Sequence, residues 1–210
     1  TEIFMNKVVK YFIIGDLILW TGWGILDPFF SIFIVNSIEG ATLFSVGAAV
    51  AIYWMTKAAV QIPTALILDK NDGEKDDFYI LIIGLCVIGL SVLAFIFAEK
   101  LWQIYLIQFI KGIGFAFFVI GWLAIYSRHL DKGHTAFEWA VNSSTGAFGI
   151  GLAGIFGGSI ASWFGFEFVF ISTSLLAFLS AIILFFSRNL IMPKDKTKMI
   201  FKQPFKNHNL

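Results

Sequence analysis

The sequence predicts an all-α membrane protein with six membrane-spanning helices. Of its 210 residues, 58% are hydrophobic and only 14% are charged, whereas about 25% of the residues in a soluble domain are charged. A soluble chain of this length lacks the interior to hide so much apolar surface, and the mean hydropathy is +0.82. The apolar residues form continuous runs without the period-2 alternation of a membrane barrel strand.

Six apolar runs follow one another, separated by short polar or glycine-containing breaks. Because about 20 residues cross a bilayer as a helix, each run is long enough to span. The predicted spans are 11–35, 42–68, 78–98, 101–126, 137–163 and 166–187. This divides the chain into an N-terminal segment (1–10), a six-helix membrane domain (11–187) and a basic tail (188–210).

The positive charges flanking the spans predict the orientation of the chain. One side has Lys100 alone, and cytoplasmic segments are the ones enriched in Lys and Arg. We therefore expect both termini in the cytoplasm and the chain in the cytoplasmic (inner) membrane. The predicted cytoplasmic side has twelve lysines and arginines: Lys7, Lys10, Lys70, Lys75, Arg128, Lys132, Arg188, Lys194, Lys196, Lys198, Lys202 and Lys206.

Several function classes are excluded by what the sequence lacks. A formal net charge of +1 provides no basic surface for nucleic acid. The single Cys86 rules out a disulfide framework or a cysteine metal site. The three histidines (His129, His134 and His208) fall in predicted loops or the tail, so neither an intramembrane serine–histidine pair nor a zinc site can form. We expect no enzyme activity, no cofactor and no metal.

Polar side chains inside hydrocarbon are costly, so their positions indicate function. The third and sixth spans have almost none, which suggests lipid-facing scaffold helices and a 3+3 organisation. The other four spans each carry polar residues at helical spacing: Asp16 and Asp27, Lys57 and Gln61, Gln108 and Lys111, Glu138 and Asn142.

Asp27, Lys57 and Lys111 lie near the middle of their spans, where opposite charges can neutralise one another. One interpretation is a static ion pair between Asp27 and a lysine. The favoured one is a water-accessible substrate or proton site, because the polar residues converge from four helices. Interface solvation or compensation of the charge at a helix N-terminus explains Asp16 and Glu138 at least as well as function does, since both are nearer the cytoplasmic helix ends. The predicted substrate- or proton-binding set is Asp27, Lys57, Gln61, Gln108, Lys111 and Asn142.

A glycine-rich stretch, GAFGIGLAGIFGG, occupies residues 146–158 of the fifth span. Glycine does not favour helix formation, but small residues allow two membrane helices to approach closely. No strand precedes the stretch, so a phosphate-binding loop is not expected. We predict helix packing through Gly146, Gly149, Gly151, Gly154 and Gly158.

Three segments resemble motifs of the major facilitator superfamily. ALILDKNDGEKDD is similar to the loop signature between the second and third helices, although Ala65 replaces its first glycine. IQFIKGIGFAF resembles the fourth-helix motif, with Gln108 in place of its arginine. The glycine run resembles the antiporter motif of the fifth helix, with Gly154 at the proline position. The resemblance spans about residues 7–187 and matches one six-helix half of a transporter.

The resemblance implies an inverted 3+3 repeat in which helices one and four line a cavity. Helices two and five would face a second half, which is either a second copy in a homodimer or a missing part of a twelve-helix protein. The fifth helix's glycines would then meet the partner's second helix. The resemblance also implies a cytoplasmic latch formed by Asp69, Lys70, Gly73 and Arg128.

The expected function is membrane transport of a small solute by an alternating-access secondary transporter. One acid and two amines near mid-span favour an anionic or zwitterionic solute. The alternative is a non-transporting membrane scaffold, in which neutralising Asp27, Lys57 and Lys111 together would be tolerated.

Overall fold

The computed structural model of the protein describes residues 5–70 and 73–192, and every regular element in these ranges is helical. Most of the predicted basic tail, from residue 193 onward, lies outside the described residues. A 3-10 turn, Phe95–Phe97, extends α3. The helices are α1 (Lys7–Ser37), α2 (Leu43–Leu68), α3 (Glu74–Ala94), α4 (Leu101–His129), α5 (Thr135–Phe164), α6 (Phe166–Phe186) and the short α7 (Arg188–Ile191).

Six helices in the described part of the chain are long and apolar enough to cross a membrane, which confirms the predicted fold class. Four of the six long helices (α1, α3, α4 and α5) run a few residues beyond the apolar runs. For example, α3 begins at Glu74 and has Asp76 and Asp77 in its first turn. Acidic residues there complement the positive end of the helix dipole, so polar sequence continues the helix past the apolar segment.

The helix ends explain why the connections can be so short. Thr42 and Ser45 form a reciprocal capping box at the start of α2, which satisfies two backbone N–H groups. A single residue, Gly165, separates α5 from α6 and has a φ of +83°. That left-handed conformation favours glycine, and it reverses the chain direction without a longer loop.

The helices pack as two related groups, one around α1 and one around α4. The main partners of α1 are α5 and α6, those of α4 are α2 and α3, and α3 also packs on α6. Exchanging the first three helices with the last three maps this set of neighbours onto itself. The arrangement agrees with a 3+3 organisation, although the inverted repeat itself stays a prediction.

Two apolar clusters form the core, one toward each end of the bundle. The end that holds the start of α1 and the end of α6 is called the terminal end here, and the opposite end is called the far end. Phe12, Phe78 and Tyr126 belong to the cluster toward the terminal end. Phe33 and Phe95 belong to the cluster toward the far end.

Two helices remain largely uncovered. Only 22% of the apolar segment of α2 and 17% of that of α5 are buried, whereas 44–56% is buried in the other four spans. Large apolar side chains such as Met55 on α2 and Phe148 on α5 are at least 70% exposed. These two helices therefore form the most open face of the bundle.

Candidate functional site

Lys111 lies in the interior of the bundle, surrounded by aromatic rings. The side chain of this α4 residue is only 3% exposed. Its Nζ lies 4.9 Å from the ring centroids of Trp23 and Tyr53, 5.1 Å from Phe30 and 5.4 Å from Phe95. The electron-rich faces of aromatic rings attract a cation at such distances, so the four rings form an aromatic cage around the ammonium group.

Helix geometry explains how the cage forms. Trp23 and Phe30 are seven residues apart on α1 and therefore lie on one helix face. Gly112 lets α2 approach α4: a Cβ at this position would lie 2.8 Å from the Tyr53 carbonyl oxygen. Phe115 packs edge-on against Trp23 at 4.7 Å, which holds the indole in place.

The other predicted polar residues of this region retain exposed surface. Asp27 is exposed, and Lys57 and Gln61 are half-buried. In the described chain, Asp27 forms no ion pair within 4.0 Å with Lys57 or Lys111. The Nζ of Lys57 instead lies over Trp54 at 4.6 Å. No static ion pair therefore joins Asp27 to either lysine, and the convergence of all three charges on one site stays a prediction.

Gln108 lies one turn before Lys111 and is 2% exposed. Its Oε1 atom has no hydrogen-bond partner. An unpaired buried carbonyl oxygen is costly, and such a group is available to a ligand or to a water molecule.

Asn142, which the sequence groups with Asp27, lies beside Asp16 instead. The Asn142 Nδ2 donates a hydrogen bond of 3.0 Å to Asp16 Oδ2, and the two residues are 8% and 5% exposed. Both line a cavity of about 530 Å³ between α1, α4 and α5, called the Asp16 cavity below. Its walls are Asp16, Trp20, Phe118, Val119, Trp122, Leu123, Trp139, Asn142, Ser143, Gly146, Ala147 and Ile150.

Aromatic packing fixes one wall of the Asp16 cavity. Trp122 stacks on Tyr126 with ring centroids 4.4 Å apart, and Trp139 meets Tyr126 edge-on at 5.0 Å. Two polar atoms of the wall, Trp122 Nε1 and Asn142 Oδ1, are buried without hydrogen-bond partners. The cavity thus offers one carboxylate, one free donor and one free acceptor among indole rings.

Sequence reasoning did not place Asp16 in the site, because its position toward a helix end is equally explained by interface solvation. A usable signal was present. Asp16 and Trp20 are four residues apart on α1 and share a face, and the fifth span has Trp139 and Asn142 at a comparable depth. The lysine cage has no such signal, because it depends on how three different segments rotate toward Lys111 of α4.

At the terminal end, Arg128 forms an ion pair with Asp77 of α3. The Asp77 side chain is almost fully buried, whereas the Arg128 side chain is 44% exposed. Of the other residues predicted for the latch, Asp69 and Lys70 are exposed and Gly73 is the N-cap of α3. The observed contact therefore joins the start of α3 to the end of α4.

A second polar cluster at the terminal end joins α1, α4 and α5. The Asn6 backbone N–H donates to Asp131, and the Asp131 backbone N–H donates to Glu138, each over 3.0 Å. The Tyr126 hydroxyl donates to the Glu138 carbonyl oxygen over 2.9 Å. Glu138 is thereby engaged at this end of the bundle, away from the Lys111 cage.

The glycines of α5 pack mainly against α1 of the same chain. A Cβ at Gly149 would lie 2.6 Å from Thr21 Oγ1, one at Gly146 3.3 Å from Trp20, and one at Gly158 3.2 Å from Phe29. At these three positions the space on the Cβ side is taken by α1 of the same chain, and contact of the glycine run with a partner's second helix stays a prediction. Gly154 has only an ordinary contact with Gly24, and a Cβ at Gly151 would have no neighbour within 4 Å.

A comparison with protein families identifies the group to which this bundle belongs. The sequence pattern of the Major Facilitator Superfamily matches residues 12–206. The chain belongs to the Major Facilitator Superfamily. No curated protein matches it in sequence.

The superfamily fold is also seen in a solved structure. The chain is similar to the POT family transporter PepTSo, whose structure was determined by in meso crystallisation, with a TM-score of 0.65 and 15% sequence identity. The similarity covers 99% of this chain and 45% of PepTSo. This superfamily member thus spans less than half the length of that transporter.

Proposed function

We propose that the chain is one six-helix unit of an alternating-access transporter for a small solute. The observation that carries this proposal is the open face of α2 and α5, together with surface-exposed polar groups on spanning helices. A charge in contact with hydrocarbon is costly, and Asp27 is both exposed and without an ion-pair partner among the described residues. A second six-helix unit would cover this surface and enclose a central pathway.

The second unit is either a second copy of the chain or another half of a longer protein. Membership of the superfamily and the 45% coverage of PepTSo support a two-unit assembly. Solute binding near the middle of the membrane between two repeats is the usual arrangement of such transporters. Lysine and arginine are in excess at the terminal end, so this end faces the cytoplasm in the proposal. The membrane is the cytoplasmic (inner) membrane.

The polar residues have separate roles in this proposal. Asp27 and Lys57 line the pathway, with Gln61 and Gln108 as hydrogen-bonding groups. The caged Lys111 supplies a fixed positive charge, and the Asp16 cavity receives the solute. The ion pair between Asp77 and Arg128 holds α3 and α4 together at the cytoplasmic end.

Uptake into proteoliposomes that contain the purified chain tests the proposal. Three labelled solutes with similar aromatic bodies and different charges are compared: 2-phenylethylguanidinium, 3-phenylpropanoate and zwitterionic phenylalanine. We expect saturable uptake of at least one solute above protein-free liposomes. Asp27→Asn should abolish this uptake without lowering the unfolding temperature, because it removes a charge of the pathway and not a packing contact.

Glu39→Gln is the matched control, since it removes one negative charge from an exposed loop position and should transport normally. Unchanged uptake by Asp27→Asn would remove Asp27 from the mechanism. A chain that transports none of the solutes, and that keeps its fold when Asp27, Lys57 and Lys111 are neutralised together, would instead be a scaffold.

A further inference from the structure

We propose that the Asp16 cavity binds a monovalent organic cation that carries N–H donors on an apolar body, such as an arylalkyl ammonium or guanidinium ion. This inference rests on the proposed function, since it names the substrate class of the transporter. An organic cation differs from the anionic or zwitterionic solute that the sequence favours on the basis of one acid and two amines near mid-span.

The first argument is the charge of the cavity. Asp16 is 5% exposed and has no ion-pair partner within 4.0 Å in the described chain. The side chains of Asn142 and Trp20 hydrogen-bond to its carboxylate, which has room for about four such bonds. A buried carboxylate is stabilised in its ionised form by a counter-charge, and no side chain described near it supplies one.

The second argument is the aromatic wall. Trp20, Trp122 and Trp139 all line the cavity, and indole is the best of the aromatic rings at attracting a cation. The bundle already contains this chemistry around Lys111, where four rings enclose an ammonium group at 4.9–5.4 Å. The Asp16 cavity has indole rings and a carboxylate but no cation of its own.

The third argument is an unpartnered hydrogen-bond acceptor. Asn142 Oδ1 is buried and without a partner, so it can accept a hydrogen bond from an N–H group of the ligand. A guanidinium or primary ammonium group could bind Asp16 and Asn142 together, while its apolar body contacted Phe118, Val119 and Ile150.

An inorganic metal ion fits this cavity poorly. Calcium requires about six to eight oxygen ligands, whereas the side chains of the cavity offer one carboxylate, one amide oxygen and one serine hydroxyl among mainly apolar groups. No group of three or more acidic, histidine or cysteine side chains suited to a metal occurs in residues 5–70 and 73–192. An organic cation with an apolar body matches both the charge and the aromatic walls.

The test is equilibrium binding to the full chain in nanodiscs, followed by quenching of tryptophan fluorescence and corrected with empty nanodiscs. The probe is 2-phenylethylguanidinium, and N-(2-phenylethyl)urea is its neutral isostere. We expect the cation to bind at least about 10-fold more tightly than the urea, because a hydrogen bond to a charged partner is worth about 10- to 100-fold in affinity. The anion 3-phenylpropanoate should not compete.

Asp16→Asn should weaken cation binding by a similar factor and leave the weak urea binding unchanged, whereas Glu39→Gln should bind the cation normally. The comparison of cation and urea needs no variant, so it remains decisive if Asp16→Asn fails to fold. Equal affinities for the cation and the urea, or stronger binding of the anion, would overturn the inference.

The result is independent of the transport assay. Cation binding without uptake of any solute would support the inference and contradict transport by this chain. Uptake of 3-phenylpropanoate or phenylalanine without cation binding would overturn the inference while transport stood.

Discussion

Lys111 shows how a single charged residue is accommodated inside this bundle. Its ammonium group has lost almost all contact with solvent, and four aromatic faces partly replace the lost hydration. Cation–π contacts are worth about 0.5–2 kcal/mol each, whereas removing an ion from water costs several kcal/mol. The four contacts together are therefore of the same order as the desolvation cost of Lys111 and offset much of it.

Lys111→Met should consequently fold at least as stably as the wild type. Methionine is unbranched and flexible, so it can fill the cage while the buried charge disappears. We expect an equal or higher unfolding temperature in nanodiscs together with a loss of solute uptake. Lys57→Met is the comparison, since Lys57 is half-buried over a single ring and should change stability less. A fall in stability confined to Lys111→Met would mean that the cage contacts outweigh the desolvation cost.

Asp69 and Asp77 are close in sequence, but only Asp77 takes part in the ion pair at the terminal end. Asp77→Asn should destabilise the chain by about 1–3 kcal/mol, because it weakens a charge-assisted contact of a buried carboxylate. Asp69→Asn should have no measurable effect, since Asp69 is exposed and surface charges contribute little. Unfolding of both variants under the same detergent titration checks this. Greater sensitivity at Asp69 would favour the latch predicted from the loop motif.

Which polar residues enter the interior was largely readable from the sequence, but their partners were not. Gln108, Lys111 and Asn142 stand out because they interrupt apolar helices. Their neighbours depend on helix rotation and on the choice of side-chain rotamer, which a linear pattern does not contain. Asn142 therefore joins Asp16 rather than Asp27. The spacing of Trp23 and Phe30 places them on one face of α1 but does not show that this face meets Lys111 of α4.

At the scale of the helices, the contact between α1 and α5 depends on missing side chains. A Cβ at Gly157 would lie 2.7 Å from the Ile25 carbonyl oxygen and 2.9 Å from its Cα. Backbone atoms cannot move aside as a flexible side chain can, so the two helices would have to separate. This contact also forms one side of the Asp16 cavity, through Gly146 and Trp20.

Gly157→Ala should therefore destabilise the chain by about 1–3 kcal/mol, the usual cost of overpacking. Gly151→Ala is the matched control on the same helix, because a Cβ there has no neighbour within 4 Å. It should be neutral or slightly stabilising, since alanine favours a helix by up to about 1 kcal/mol over glycine. Equal effects on the unfolding temperature would show that α5 does not pack on α1 in this register.

The number and order of the helices were predictable because about 20 apolar residues can cross hydrocarbon only as a helix. The helix ends were less predictable, because α1 begins at Lys7 and α4 continues to His129, both beyond the apolar runs. Caps and charged first turns extend helices into polar sequence, where hydropathy gives no signal. The same limit applies to the partner of the glycine run, since small residues indicate close packing without naming the helix that approaches.

For the molecule as a whole, the open face of α2 and α5 predicts where a second unit would dock. Met55 and Phe148 lie near the middle of their helices and are 71% and 70% exposed. Because α2 and α5 are antiparallel spans, residues at mid-length lie at similar depths in the membrane. In a two-fold assembly, α2 of one copy would face α5 of the other, and these two positions would come close across the interface.

Disulfide cross-linking in native membranes measures this directly. In a Cys86→Ala background, which removes the single native thiol, Met55→Cys combined with Phe148→Cys should give a covalent dimer on mild oxidation. The control is Ile83→Cys combined with Leu175→Cys, because these α3 and α6 side chains are also more than half exposed but belong to the predicted lipid-facing helices. A covalent dimer from the first cysteine pair alone would show that a second copy of the chain covers the face of α2 and α5. If neither pair gives a dimer, a different six-helix unit covers this face, because an uncovered Asp27 is incompatible with hydrocarbon.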